Sequence, residues 1–145
     1  MNSERLKQLI LGNGAEITRL YARIDETLGR RSSSPQGRDE WRTACAQFHE
    51  RYGELAFPGG YDGAAARILG GDPMAMEAAI CFLECRPYFF RSGYMYKELL
   101  RKAKRAPLSP EQSERLQVVI QRVAEWRARK SSKVSKNSSS TIQSK

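Results

Sequence analysis

Two pairs of side chains have the types and the spacing that metal binding or thiol chemistry requires. Cys45 and His49 are four positions apart, and so are Cys81 and Cys85. Residues at i and i+4 of an α-helix project from the same side, so the two pairs together could supply a tetrahedral zinc site. Structural zinc sites favour shorter spacings, however, and free cysteine is among the most buried residue types. We therefore expect core cysteines with a flanking histidine, a zinc- or thiol-dependent function only as a minor alternative, and no cofactor.

Other catalytic patterns are missing from the sequence. His49 is the only histidine, and a Cys–His nucleophile also needs a third group that orients the base. The acidic pairs Asp25-Glu26 and Asp39-Glu40 are adjacent, so their carboxylates point in different directions on a helix. The glycines form neither the P-loop pattern nor the dinucleotide-binding pattern. The sequence therefore predicts a protein that is not an enzyme.

Positive charge and aromatic rings are concentrated in residues 86–105. This stretch holds seven Lys or Arg and one Glu, which gives it a net charge of +6, and residues 127–145 carry another +6. The whole chain has a formal charge of +9, so the remaining residues are acidic on balance. Basicity confined to one stretch and one tail predicts an anionic partner, although a solvated basic face that aids solubility would look the same.

The stretch 86–105 also supplies the candidate binding residues. At 100° per residue, Lys97, Arg101 and Lys104 share one face of a helix. Phe89, Phe90 and Tyr94 are expected to fill the core, which leaves Tyr88 and Tyr96 as the exposed tyrosines. The predicted binding residues are Arg86, Tyr88, Arg91, Tyr96, Lys97, Arg101, Lys104 and Arg105.

Two functions fit this combination of residues. Tyrosine and arginine dominate protein-interface hot spots, which favours a non-enzymatic interaction module of the adaptor, chaperone or inhibitor/immunity type that binds an acidic protein. Guanidinium groups between aromatic rings are also used to bind single-stranded nucleic acid. The alternative is therefore an RNA- or DNA-binding protein that uses the same patch and the basic tail.

Length and composition describe one domain. The chain has 145 residues, of which 40% are hydrophobic, as in ordinary soluble domains. Three cysteines suit no disulfide framework, and no signal peptide or membrane-spanning apolar run is recognised. The sequence predicts a cytoplasmic protein and does not indicate its oligomeric state.

The spacing of apolar residues predicts an all-α fold of five to six helices. Ser34-Pro35, Asp72-Pro73 and Ser109-Pro110 each place a capping side chain before a proline at the first helical position. Ser3 is expected to cap a short first segment, which Gly12-Asn13-Gly14 separates from a helix over about residues 16–28. Asp62 is expected to cap a short third segment, and the basic helix is predicted to run from Ser92-Gly93 to Arg105.

These starts repeat with a regular period. The prolines of the three pairs lie 38 and 37 residues apart, which is the size of a helical-hairpin repeat. The predicted architecture is similar in geometry to a short HEAT or tetratricopeptide stack, although neither consensus is present; a compact helical bundle is the alternative. Either would occupy residues 1–129. Residues 130–145 are rich in Ser and Lys and are predicted to form a disordered tail.

Overall fold

The computed structural model describes residues 2–143, with their side chains as far as residue 132. This part of the chain contains helices and no strand, which confirms the predicted all-α class. None of its helices combines the length and the apolar content that crossing a bilayer requires. The helices are α1 (Ser3–Leu28), α2 (Pro35–Ala56), α3 (Ala64–Leu69), α4 (Pro73–Cys85), α5 (Ser92–Ala103) and α6 (Pro110–Gln143).

The chain forms two compact units, residues 1–108 with α1 to α5 and residues 109–145 with α6. Residues 130–145 are predicted to be disordered, and the structure describes no side chain in this stretch after residue 132. Like the predicted boundary at residue 129 and the helical repeat, this disorder stays a prediction.

Helix α4 lies at the centre of the first unit. It contacts α1, α3 and α5, while α1 also packs along α2. As its sequence predicts, α4 is apolar on nearly every side, and eight of its side chains are buried between Ala75 and Leu83. A helix covered from several directions fixes the start of the segment that follows it. That segment, residues 86–91, connects α4 to α5.

Helix α1 runs without interruption through Gly12-Asn13-Gly14, so the predicted break there is wrong. The physical reason is packing: a Cβ at Gly14 would lie 3.3 Å from Cδ2 of Phe89. Glycine is present because it permits this close approach of α1 to the α4–α5 connection. The predicted cap is also wrong, since the Oδ1 of Asn2 accepts the N–H of Arg5 at 2.8 Å. Ser3 instead donates its hydroxyl to a carboxylate of α4, Glu77, at 2.7 Å.

The three predicted cap-and-proline starts are confirmed. Ser34, Asp72 and Ser109 each accept a hydrogen bond from the backbone N–H three residues later, at 2.9, 2.9 and 3.1 Å. At the start of α6, the side-chain oxygen of Gln112 accepts a hydrogen bond from the N–H of Ser109 at 3.0 Å, which completes a capping box. These starts were predictable because each depends on neighbours in the sequence.

The caps of the two shorter helices differ from the prediction. Gly63, with φ 75°, precedes α3, so Asp62 is not its cap. Helix α5 ends at Ala103, two residues before the predicted end, and Lys104 follows it as the cap residue. Lys104 and Arg105 therefore extend the basic face beyond the last turn of α5.

Glu16 joins α1 to α2 and makes stability depend on pH. Its carboxylate accepts hydrogen bonds from Arg19 of the same helix and from Arg51 of α2 at 2.9 Å. The hydrogen bond from Arg19 is the main reason why the pKa of Glu16 falls from 4.5 to about 2. Because the folded pKa lies below the unfolded one, this stabilisation is complete above about pH 4.5 and is lost as the pH falls toward 2.

We expect Glu16→Gln to lower the urea midpoint of the protein at pH 7, and we expect this difference from the unchanged chain to shrink below pH 4.5. Urea titrations followed by circular dichroism at several pH values measure it. Glu26→Gln is the matched control, because within the described part of the chain Glu26 pairs only with Arg23, one turn away at 3.4 Å. If the urea midpoint of Glu16→Gln is still below that of the unchanged chain near pH 2, the charge of the carboxylate is not the cause of the difference.

Candidate functional site

The connection between α4 and α5 begins and ends at a strained arginine. Arg86 has φ 49° and Arg91 has φ 66°, and no other non-glycine residue in the described part of the chain has a positive φ. Both have local hydrogen-bonding roles: the N–H of Arg86 donates to Phe82 at the end of α4, and the carbonyl of Arg91 accepts from Met95 in the first turn of α5. The left-handed conformation costs an L-residue about 1–2 kcal/mol, and glycine adopts it without that cost.

Both guanidinium groups lie over aromatic rings. The guanidinium carbon of Arg86 is 5.0 Å from the ring centre of Tyr96, and that of Arg91 is 5.4 Å from the ring centre of Phe90. These distances are within the range of a cation–π contact. Tyr96 is half-buried, so the prediction of an exposed ring there is wrong. Its ring supports Arg86.

Phe90 is held by α1 and α2. Its ring stacks on that of Tyr21 with the centroids 4.9 Å apart and the planes 18° apart. The hydroxyl of Tyr52 donates to the carbonyl of Phe90 at 2.7 Å. Burial raises the pKa of Tyr52, which keeps this hydroxyl protonated as a donor. The chain around Phe90 is therefore fixed by two separate helices.

The exposed tyrosines are only partly those expected. Tyr88 is 92% exposed, as predicted, whereas Tyr94 is 82% exposed although the sequence placed it in the core. The buried residues of α5 include Met95, Leu99 and Leu100, so the core-facing side of this helix does not include Tyr94. Phe89 is buried as predicted. Two exposed tyrosines therefore flank Arg91 in the sequence, three residues before it and three residues after it.

The predicted basic residues of α5 and of the two positions after it are exposed. Lys97, Lys104 and Arg105 make no ion pair among the residues that the structure describes. Arg101 differs, because its guanidinium lies 3.4 Å from the carboxylate of Glu98, which also pairs with Lys102 at 3.6 Å. The charges of Arg101 and Lys102 are partly compensated, so Lys97, Lys104 and Arg105 carry the uncompensated charge of this face.

A groove of about 450 Å³ lies beside the start of α5. Tyr21, Thr18 and Gly93 help to form it, and the sequence assigned a binding role to none of them. The one signal that could have indicated Tyr21 is its polar hydroxyl on a helix whose other regularly spaced residues are aliphatic. The lining residues are Thr18, Tyr21, Tyr88, Phe89, Phe90, Arg91, Ser92 and Gly93.

The cysteines and the histidine are placed in different surroundings. Cys81 is buried as expected, and its thiol lies 3.4 Å from the carboxylate of Glu77. Cys85 is half-buried, and burial raises the pKa of its thiol, which lowers the thiolate fraction that nucleophilic chemistry needs. Cys45 is half-buried, and exposed His49 contacts Phe48 edge-on. Among the described residues, these groups and the carboxylates form no cluster that could hold a metal ion.

No family model, curated protein or solved structure matches this chain. Function is therefore inferred from the residues of the chain itself. The strongest physical features are the two strained arginines, the two exposed tyrosines and the uncompensated lysines of α5. All of them lie within residues 86–105.

Proposed function

We propose that this protein is a non-enzymatic interaction module that binds an acidic protein partner through residues 86–105, here called the basic-aromatic surface. The observation that carries the proposal is the left-handed backbone of Arg86 and Arg91. Glycine would adopt this backbone conformation without strain. We therefore attribute the presence of arginine at both positions to a role of its side chain. Strained backbone of this kind clusters at functional sites, where it holds a side chain in a fixed position.

Several features favour a protein as the partner. Tyrosine and arginine contribute most to protein-interface hot spots, and Tyr88 and Tyr94 are both more than four-fifths exposed. The net charge of +6 would attract an acidic surface and speed the encounter with it.

RNA or DNA is the second candidate, and one observation favours it. The exposed rings of Tyr88 and Tyr94 are near in sequence to Lys97, so rings and charge could contact bases and phosphates together. Such binding would weaken steeply with salt, because the logarithm of affinity falls by roughly 0.7–0.9 per phosphate contact for each unit of log salt concentration. A slope of this size in the binding of a mixed RNA and DNA pool would support the second candidate.

A charge reversal on α5 tests the proposed function. We expect Lys97→Glu with Lys104→Glu to weaken partner binding by about tenfold or more, because four units of charge change on the surface that meets an acidic face. These lysines are preferable to Arg101, whose replacement would also disrupt its pair with Glu98. The measurement is affinity capture from the native host with quantitative mass spectrometry, followed by titration of the recovered partner.

The matched control is Arg38→Glu with Arg42→Glu. These exposed arginines of α2 allow the same change of charge on a different surface. A partner that is recovered equally well by the α5 variant and by the unchanged chain would contradict the proposal. If the α5 variant instead loses binding to a mixed RNA and DNA pool, with the salt dependence described above, the second candidate replaces the first.

A cytoplasmic location is part of the proposal. Cys45, Cys81 and Cys85 are all free thiols in the structure. Unpaired cysteines, two of them half-buried, are what a reducing compartment maintains. Measuring free thiols in protein taken from its native host tests the location, and oxidised cysteines would contradict it.

A further inference from the structure

The groove beside α5 has the size and the walls of a binding site. Its volume of about 450 Å³ is within the range of roughly 300–1,000 Å³ that ligand pockets usually have. Four aromatic residues, Tyr21, Tyr88, Phe89 and Phe90, line it, and Phe90 is 39% exposed. Such walls favour a flat apolar group over a purely charged one, because ring faces pack against other rings.

The charge around the groove has one sign. No Asp or Glu lines it, whereas Arg91 does. Arg91 forms no ion pair with a carboxylate among the described residues, although it contacts the ring of Phe90. A guanidinium group can bind a carboxylate through two parallel hydrogen bonds. Aromatic walls with a cation beside them are therefore complementary to a ligand that has a ring next to a carboxylate.

We infer that this groove binds an aromatic side chain of the acidic partner, while a neighbouring carboxylate of the partner pairs with Arg91. The inference rests on the proposed function and makes it more specific, because it states what the partner must contain besides negative charge. A partner with acidic residues alone would bind the lysines of α5 and leave the groove empty. One with an aromatic residue among its acidic residues would use both.

Gly93 offers a way to fill the groove without disturbing the fold. It lines the groove, and a Cβ built there has no heavy atom within 4 Å. Leucine at this helical position therefore adds bulk beside the groove and improves helix propensity. Gly12→Leu is the matched control, because Gly12 is an exposed glycine of α1 with equally open surroundings, and it does not line the groove.

The test uses the full chain and two fluorescein-labelled nonapeptides. Each has eight glutamates, around a central phenylalanine in one peptide and a central alanine in the other, so the two peptides differ only in the ring. We expect the phenylalanine peptide to bind about tenfold more tightly, because the groove removes its ring from water. We expect Gly93→Leu to abolish this preference and Gly12→Leu to keep it, as measured by fluorescence polarisation.

The outcomes separate the groove from the wider surface. Equal affinity for the two peptides would overturn the groove inference. If Lys97→Glu with Lys104→Glu then also lost binding of both peptides, the proposed function would still stand. If the phenylalanine peptide binds the charge-reversed variant as tightly as the unchanged chain, the result would support the groove and contradict the wider surface. Failure to bind either peptide would overturn the groove inference. So would tighter binding of a nine-base oligothymidylate that Gly93→Leu abolishes, because the groove would then bind a base.

Discussion

Replacement of Phe82 by alanine is expected to lower the free energy of unfolding of the first unit by about 3–5 kcal/mol. Phe82 is fully buried in α4, and its ring lies 6.3 Å from that of Phe57 and 6.2 Å from that of Phe89, centre to centre. Its removal loses the burial of a large ring and leaves a cavity between two others. Because a typical domain is stable by only about 5–15 kcal/mol, this loss is a large share of the total.

The second effect of Phe82→Ala concerns the groove. Phe89 is one wall of the groove, and the ring of Phe82 packs edge-to-face against it at an interplanar angle of 86°. Loss of that support allows Phe89 to move toward the cavity. We therefore expect a smaller preference for the phenylalanine peptide under conditions in which the variant is still folded.

Phe90→Ala is the matched comparison for Phe82→Ala. Phe90 is 39% exposed, so its removal should cost less stability, about 1–2 kcal/mol, but it deletes a wall of the groove outright. Urea unfolding should rank Phe82→Ala as the less stable variant, and peptide titration should rank Phe90→Ala as the weaker binder. Similar unfolding midpoints for the two variants would contradict the central position of Phe82 in the core.

Local chemistry explains which parts of the fold were predictable. Ser34, Asp72 and Ser109 cap their helices as expected, because each capping bond joins residues three positions apart. The all-round apolar character of α4 likewise predicts its central place. Information confined to a few neighbouring residues was enough for these elements.

Contacts between distant residues explain the rest. Gly14 remains helical because α1 packs closely against Phe89, about 75 positions later, and no propensity of Gly-Asn-Gly encodes that contact. The groove exists because Tyr21 of α1 stacks on Phe90, which the sequence of either segment alone does not indicate. The sequence identified residues 86–105 by composition, and the structure adds which of their rings and charges are exposed.

Arg91 allows the strain in the backbone to be tested separately from binding. Arg91→Ala loses the contact with the ring of Phe90, worth about 0.5–1 kcal/mol, and keeps the strained φ of 66°. Arg91→Gly loses the same contact but relieves about 1–2 kcal/mol of strain. The greater freedom of glycine in the unfolded chain offsets about 0.5–1 kcal/mol of that gain. We expect the alanine variant to be less stable than the unchanged chain, and the glycine variant to be close to it.

Binding should respond in a different way, because both variants lack the guanidinium group. If Arg91 pairs with a carboxylate of the partner, each variant should bind the phenylalanine peptide about thirtyfold more weakly, which is the size of a hot-spot loss. Arg38→Ala, at an exposed helical arginine of α2, is the control and should change neither property strongly. Normal binding by Arg91→Gly would mean that Arg91 serves the fold alone. Equal stability of the glycine and alanine variants would mean that the backbone there is not strained, which would remove the observation on which the proposed function rests.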